Sequence, residues 1–583
     1  MDSLVLWRRT RFRPPPPHNQ RGLRVSDRNR EQPHSTPEHP AATIAPTLTR
    51  RQLLGTAAAL TTGALAGPGG SMARDSGWDS GRVAHLLPTA SHDRFLIKVS
   101  LSEPISGVPT LNLGRRSVEG TPTDTQGLFW LFDADGLEAA TDYELRLRDG
   151  GGTPLCDDWP LRTFPNPESS PEHARVLLFT CAGGHPDLRR GGLPQYLPLT
   201  IRRRLLQRAL SFAPDAVIAN GDHIYWDQRT PGPNGPPPEY LELAGHFDRS
   251  QTVLGTANET VLKRAVGPQV ADLYGTLMRS APVFFLQDDH DYFDGDRVRS
   301  WVVPYPPDPF MIRAARASQR LFYPEFLPDS ERPLGLPSAS MADRPPGVGE
   351  AFGTLRYGRL LEVLLYDCRR HQTIKGDLGT LVPEQAEKWL LRRMADPKVG
   401  NLVQVPSLPL GWTAGKWGEW YPDILAEDGT LGLSRAKDFW QQGWLLQHDR
   451  LLKAASAMER SPIFLNGDLH SIAEATIYSS GDLDLSANPI RTALVGPIGT
   501  LRGWPSGGRG TVGQLSTVLR GEEALGCVEE NGFLIADFDP EGTTLRFFRW
   551  RPGDRQRGVG NEEDIDSLEP FRTVRWPRRP RQA

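Results

Sequence analysis

Ala216-Val217-Ile218-Ala219-Asn220-Gly221-Asp222-His223-Ile224-Tyr225 and Ile463-Phe464-Leu465-Asn466-Gly467-Asp468-Leu469-His470 decide how this chain reads. In each stretch a short apolar run breaks into Gly-Asp. A buried strand that ends so abruptly puts a carboxylate at the carboxyl edge of a sheet, where open α/β sheets build their sites. A second donor follows each Gly-Asp within a few residues, Tyr225 in the first and His470 in the second. The two strand ends read as halves of one metal centre.

Working outward, two more apolar runs end in donors. Val176-Leu177-Leu178-Phe179-Thr180 ends at Cys181, and Val283-Phe284-Phe285-Leu286 leads to Asp288-Asp289-His290-Asp291. Thiolate and phenolate are anionic ligands that suit a hard or borderline trivalent metal, and an imidazole completes such a set. The remaining donors are carboxylates, which suit calcium or another oxygen-seeking divalent ion. The residues therefore sort into two neighbouring sites, with Asp222 placed to bridge them. Paired cations of this kind fit phosphate-ester hydrolysis, because they acidify a shared water and hold phosphoryl oxygens. His290 with Asp291 would protonate the leaving group. A further strand end, Asp367-Cys368-Arg369-Arg370, offers guanidinium to the phosphoryl oxygens. Asp288 reads as a helper that orients His290 or caps a turn, and His185 and His223 as rim residues. Any one of these motifs alone is an ordinary turn or packing residue; their meaning lies in all of them standing at strand ends, in order.

The surrounding pattern alternates strand and helix from about residue 172 to 575. Helices are expected at 201–212, 273–280, 383–394 and 436–457, and strands at 176–181, 215–220, 283–286, 361–366, 463–465 and 475–478, with a late hairpin at 533–548. That implies a mixed sheet, or two stacked sheets, flanked by helices. Residues 83–165 show no helical period. They read as short strands and turns, such as the alternating 94–100 and 143–147, and predict a small all-β sandwich of immunoglobulin or fibronectin size. Pro165-Asn166-Pro167 opens the linker. Proline-rich stretches at 231–238, 304–309 and 333–346 are expected to rim the site.

The chain has 583 residues and a formal net charge of -3. No strongly basic nucleic-acid-binding module is indicated. Residues 1–66 differ from the rest. A basic, proline-rich extension runs into Thr49-Arg50-Arg51-Gln52-Leu53-Leu54 and then a weakly apolar core, the pattern of a twin-arginine export signal. That core is too short and too rich in Ala and Thr to span a bilayer stably. The expected location is periplasmic, cell-surface or secreted, with the twin-arginine export machinery as a partner. Ten arginines and four acids lie in residues 1–66, so their removal would take the net charge from -3 to about -9. Cys156, Cys181, Cys368 and Cys527 would permit disulfides, but folding in a reducing cytoplasm before export argues against them.

The motifs together resemble the PhoD-like alkaline phosphatase/phosphodiesterase family of the calcineurin-like metallophosphoesterases. Cys181 stands where the superfamily has Asp-x-His. Gly221 to Tyr225 match Gly-Asp-x-x-Tyr, Asp288 to Asp291 match Asp-Asp-His-Asp, Asp367 and Arg369 match Asp-x-Arg, and Gly467 to His470 match Gly-Asp-x-His. The resemblance implies an α/β fold, a four-layer metallophosphoesterase sandwich of two mixed β-sheets flanked by helices, after the small all-β sandwich. It implies iron(III) held by Cys181, Asp222, Tyr225 and His470, and calcium held by Asp222, Asp289 and Asp468, with zinc or manganese as the alternative metals. It implies His290, Asp291 and Arg369 as catalytic residues and a phosphate ester, small molecule or extracellular polymer, as substrate, hydrolysed by in-line attack of a metal-bound hydroxide. Gly183-Gly184-His185, His223 and Tyr292-Phe293-Asp294-Gly295-Asp296 depart from the family's pattern and bear on substrate preference. The rival reading is a non-catalytic cell-surface binding protein with a structural metal site.

Overall fold

A computed structural model describes residues 77–190, 192–226, 243–292, 307, 309–329, 332, 348–501, 506, 510–552 and 560–578. The Arg50-Arg51 signal, the proline-rich stretches 231–238 and 333–346, most of 304–309, and Phe293 onward in the Asp-Asp-His-Asp continuation lie outside the described residues. Gly69–Ala583 forms one compact unit.

The first described segment builds two four-stranded antiparallel sheets. One holds Val83–Ala90, Phe95–Leu101, Phe129–Ala134 and Thr121–Pro122; the other holds Arg116–Glu119, Thr110–Leu113, Asp142–Arg148 and Trp159–Arg162. Ile97, Val99, Leu111, Leu145 and Trp159 fill the space between them. Alternation along Phe95–Leu101 predicts one wet face, yet every residue of that strand is buried. Its polar positions face the next layer instead. Lys98 Nζ reaches the Arg320 carbonyl at 2.7 Å and Glu325 Oε2 at 3.1 Å, and Phe129 packs edge-on against Phe322 with ring centroids 4.9 Å apart. The helix Pro309–Phe322, which the sequence pattern did not announce, supplies that cover.

Two larger mixed sheets follow. The six-stranded sheet runs Val283–Leu286, Ala216–Asn220, Ala174–Thr180, Asn531–Asp539, Gly542–Trp550, Arg572–Pro577, and its first three strands are parallel. In the eight-stranded sheet, Leu361–Tyr366, Asn401–Pro406, Ile463–Asn466 and Ile490–Val495 form the parallel centre. Leu178, Ile218 and Phe284 of the first sheet share an apolar cluster with Val363, Val403 and Leu465 of the second. The opposite side of the six-stranded sheet (Leu177, Phe179, Val217) clusters with Leu205, Leu262 and Leu321 on helices Leu199–Leu210, Ala257–Val266 and Pro309–Phe322. The opposite side of the eight-stranded sheet (Leu364, Leu402, Phe464) clusters with Trp389 and Leu390 of Glu384–Ala395 and with Trp444 and Leu451 of Gln442–Ser456. Burial on both faces is why these parallel strands read as unbroken apolar runs. The helix expected at 273–280 shrinks to Ala271–Tyr274, stopped by Gly275 at φ 48°.

Register then sets the site. Thr180, Asn220 and Leu286 lie side by side as the last residues of three parallel strands, so Cys181, Asp222 and Asp288 emerge at one edge. The second sheet meets that edge. Asn220 Nδ2 donates to the Pro406 carbonyl at 3.2 Å, and the Asp468 N–H donates to Thr180 Oγ1 at 3.3 Å.

Candidate metal centre

The two Gly-Asp motifs use glycine because the strand ends approach too closely for a side chain. A Cβ on Gly221, which has φ 77°, would lie 2.6 Å from the Asp288 Cβ; one on Gly467 would lie 2.4 Å from Thr180 Oγ1 and 2.7 Å from the Asn220 carbonyl. The donors that follow carry backbone strain. Cys181 (φ 48°), Asp222 (55°), Asp468 (67°) and His470 (48°) are four of the seven non-glycine residues with positive φ among the described residues. Such conformations cost about 1–3 kcal/mol each and persist only where surrounding bonds over-determine them.

Asp291 supplies much of that over-determination at the first motif. Its Oδ2 accepts the N–H groups of Asp222 (3.0 Å) and Asp288 (2.9 Å), and its Oδ1 accepts those of His223 (3.1 Å) and Ile224 (3.0 Å). Asp289–Tyr292 is a short helical turn, so Asp291 points down into the motif and away from its neighbour His290. The residue expected to pair with His290 thus acts on the backbone that aims Asp222.

Four of the expected donors converge. Tyr225 Oη donates to Asp222 Oδ2 at 2.9 Å and lies 2.9 Å from His470 Nε2. The Cys181 thiol donates to Asp222 Oδ2 at 3.3 Å, and His470 Nε2 stands 3.8 Å from the same oxygen. Ligand atoms of Cys181, Asp222 and His470 all lie within 4.8 Å of one another. Burial, then the nearby Asp222 charge, pushes both the Cys181 thiol and the Tyr225 phenol well above their ordinary values. His470 Nδ1 is buried without a hydrogen-bond partner. A thiol, a phenol, a carboxylate and an imidazole around one point suit a cation that draws protons from the first two.

The carboxylates form the adjoining group. Asp288, Asp289 and Asp468 also present oxygens within 4.8 Å of one another, as do Asp222 and Asp289 with His290. Two basic side chains thread the first of these clusters. Arg369 Nε donates to Asp288 Oδ1 at 2.8 Å, Nη2 to Asp468 Oδ2 at 3.2 Å, and Nη1 to the Gly418 carbonyl at 3.0 Å. Lys416 Nζ donates to Asp289 Oδ2 at 3.0 Å and to Asp468 Oδ1. Burial alone would raise the Asp289 carboxyl, but Lys416, His290 and Arg369 outweigh it and hold that carboxyl well below its usual range. The sequence placed Arg369 on the substrate; the structure turns its guanidinium to these carboxylates. Arg370 bonds Glu350, Gln287 and Tyr292 and fixes the strand end from behind.

Half-buried His290 lies over Tyr225, with ring centroids 4.2 Å apart, and its backbone N–H donates to Asp289 Oδ1 at 2.9 Å. His223 and His185, expected at the rim, are buried instead. His223 Nε2 sits 2.9 Å from the Leu286 carbonyl, and burial lowers its pKa to about 4. All four cysteines are free.

Sequence reasoning missed Lys416 and Thr180. Thr180 ends its strand and bonds Asn220 and Asp468 through one hydroxyl, a role no spacing announces. Lys416 sits between Gly415 and Gly418, at φ 68° and 74°, in a chain poor in lysine; a lysine on a glycine-flanked turn was the available signal.

No family model matches the chain, and no curated protein matches it significantly. Solved structures do. A structure of PhoD aligns with TM-score 0.54 at 13% identity over 81% of this chain and 88% of that one. The purple acid phosphatase PPD1 from yellow lupin (Lupinus luteus) seeds aligns with TM-score 0.48 at 12% identity over 80% of this chain and 71% of that one. The chain has the fold of PhoD, which bears out at the level of fold the resemblance to PhoD-like metallophosphoesterases carried by its motifs.

Proposed function

We propose that this chain is a metal-dependent phosphoesterase of the PhoD-like kind, with its two mixed sheets and flanking helices forming four layers behind an immunoglobulin- or fibronectin-like sandwich. The observation that carries the reading is the meeting of Cys181, Asp222, Tyr225 and His470, from three separate strand ends of two sheets, around the single oxygen Asp222 Oδ2.

The donor set fits a hard or borderline metal ion, iron(III) first and zinc or manganese as alternatives. When bound, such an ion supplies Lewis acidity toward a phosphoryl oxygen and toward water. Cys181, Asp222, Tyr225 and His470, the last through Nε2, would hold it, with the thiol and phenol giving up their protons in doing so. His290, half-buried above Tyr225, holds a proton at its imidazole within the same cluster and delivers it to the leaving oxygen. Arg369 holds Asp288 and Asp468 in place, and Asp291 fixes the turn that aims Asp222. The calcium expected at Asp222, Asp289 and Asp468 does not fit in the same way. Both oxygens of Asp289 and both of Asp468 already accept hydrogen bonds, from the His290 N–H, Lys416 and Arg369.

Chromogenic phosphate monoesters and diesters, offered to metal-replete protein, test the reading. Turnover that disappears on stripping the metal supports it. No turnover of any ester by metal-loaded protein overturns it in favour of the non-catalytic surface-binding alternative. Export by the twin-arginine route to the periplasm, surface or medium belongs to the same proposal. It predicts cytoplasmic retention when Arg50 and Arg51 are both changed to Lys.

A further inference from the structure

We infer that Lys416 is a built-in second cation of this centre: its ammonium, held between Asp289 and Asp468, stands where a calcium ion would otherwise sit, so the chain works with a single metal ion. The inference rests on the phosphoesterase reading above and deepens it.

Three observations carry it. The first is position. Lys416 is 2% exposed, and its Nζ donates to one carboxylate oxygen of Asp289 and one of Asp468, two of the three residues that would coordinate calcium. A hard divalent ion of that size gathers six to eight oxygens and needs those carboxylates for itself.

The second is preorganisation. The turn bearing Lys416 is bonded within itself and to its neighbours. Buried Glu419 accepts the Thr413 hydroxyl at 2.6 Å and the Ala414 N–H at 3.0 Å, and pairs with buried Lys437 at 2.8 Å. Lys437 Nζ also donates to the Tyr421 carbonyl at 3.1 Å, and Arg369 clamps the Gly418 carbonyl from the opposite side. Trp412–Thr413 pairs as a short strand with Gln514–Leu515. An ammonium delivered by so fixed a turn is part of the centre's frame and not a mobile surface charge.

The third is charge. Asp288, Asp289 and Asp468 pair with two basic side chains, Arg369 with Asp288 and Asp468, and Lys416 with Asp289 and Asp468. These carboxylates need positive charge to stay ionised when buried. Lys416 supplies on the Asp289 side what a divalent ion would supply, while the Cys181–His470 side keeps its own set of anionic and imidazole donors for one metal ion.

The test uses the full chain, folded in its own cytoplasm, with elemental analysis and calorimetric titration of calcium chloride. The wild type is expected to carry about one transition-metal ion per chain, to bind no stoichiometric calcium, and to keep its rate in a calcium chelator. Lys416→Met should open the carboxylates and bind calcium at least about tenfold more tightly than the wild type, toward the roughly 10⁻⁴ to 10⁻³ M range of weak calcium modules. Adding Asp289→Asn should abolish that gain, and Lys416→Arg should keep calcium out. Wild-type protein that holds stoichiometric calcium beside its first metal overturns the inference and leaves the phosphoesterase reading standing. Wild-type protein that takes up no metal at all overturns that reading, and the inference with it. The wild-type titration decides on its own, whatever the variants' stability.

Discussion

Replacing Asp291 by Asn separates two roles that the sequence cannot tell apart. As the partner of His290, Asp291 would matter for proton transfer and little for stability. The structure gives it four backbone N–H groups, two on each oxygen. Asparagine keeps the shape but turns one oxygen into a donor. Whichever way the amide is oriented, one pair of N–H groups then faces an NH₂ and loses its acceptor. A buried donor left without its acceptor costs about 1–3 kcal/mol, so stranding two costs about 2–6 kcal/mol. Against a total stability of roughly 5–15 kcal/mol, that is a large share. The residue is buried and sits beneath a strained Asp222, so local relaxation offers little relief. The assay is urea unfolding of the metal-free protein, comparing midpoints at unchanged slope, with metal content measured on the same preparations. The expected outcome is a markedly lower midpoint and weakened metal retention. An unfolding free energy within about 0.5 kcal/mol of wild type, together with an altered pH profile for turnover, would refute the positioning role and restore the proton-relay one.

Other perturbations reach other parts of the account. Cys181→Ser should lower metal affinity by at least about 10–100-fold while leaving the far-UV circular dichroism unchanged, since even supporting residues of metal sites have effects of that size; normal metal content and rate would remove the thiolate from the site. Glu419→Ala should cost about 3–5 kcal/mol, because it removes the carboxylate that pairs with the buried Lys437 ammonium, and urea midpoints will show it. Asp537 gives a pH prediction. Burial alone would raise this carboxyl, but His173, Arg175 and Arg546 outweigh it and lower its pKa to about 2. A folded-state value below the unfolded value of about 3.9 means its contribution is complete above that pH and fades as pH falls toward 2. Arg175→Met should therefore move the acid-unfolding midpoint upward, and an unchanged midpoint would count against the Arg175–Asp537 pair, whose Nε–Oδ1 distance is 2.6 Å.

Much of the two-sheet α/β fold was legible because parallel strands buried on both faces leave long apolar runs, and because Gly-Asp marks where such strands stop. The same glycines prove to be sites where one backbone crowds another, so the motif that revealed the site also records its tight packing. The donors were legible by chemical type. Their roles were not, because role depends on direction. His290 and Asp291 are neighbours in sequence, but a single helical turn sends one toward Tyr225 and the other under the Asp222 backbone. Arg369 and Arg370 both point inward, to different carboxylates, where a strand would have sent them to opposite faces. Lys416 lies far from every motif, and only the folded turn brings it to Asp289 and Asp468. The sandwich shows the converse. Alternation in 94–100 predicts a wet face, but the helix Pro309–Phe322 covers it, and a local pattern carries no information about a distant helix.

X-ray absorption at the edge of the bound metal, on protein folded in its own cytoplasm and again on Cys181→Ser, tests the central claim most directly. The account predicts a single class of site whose scatterers include one sulfur beside oxygen and nitrogen, with the sulfur contribution gone in the variant. A metal with no sulfur neighbour in the wild type, or a spectrum that Cys181→Ser leaves unchanged, would contradict the convergence of Cys181, Asp222, Tyr225 and His470 on one ion.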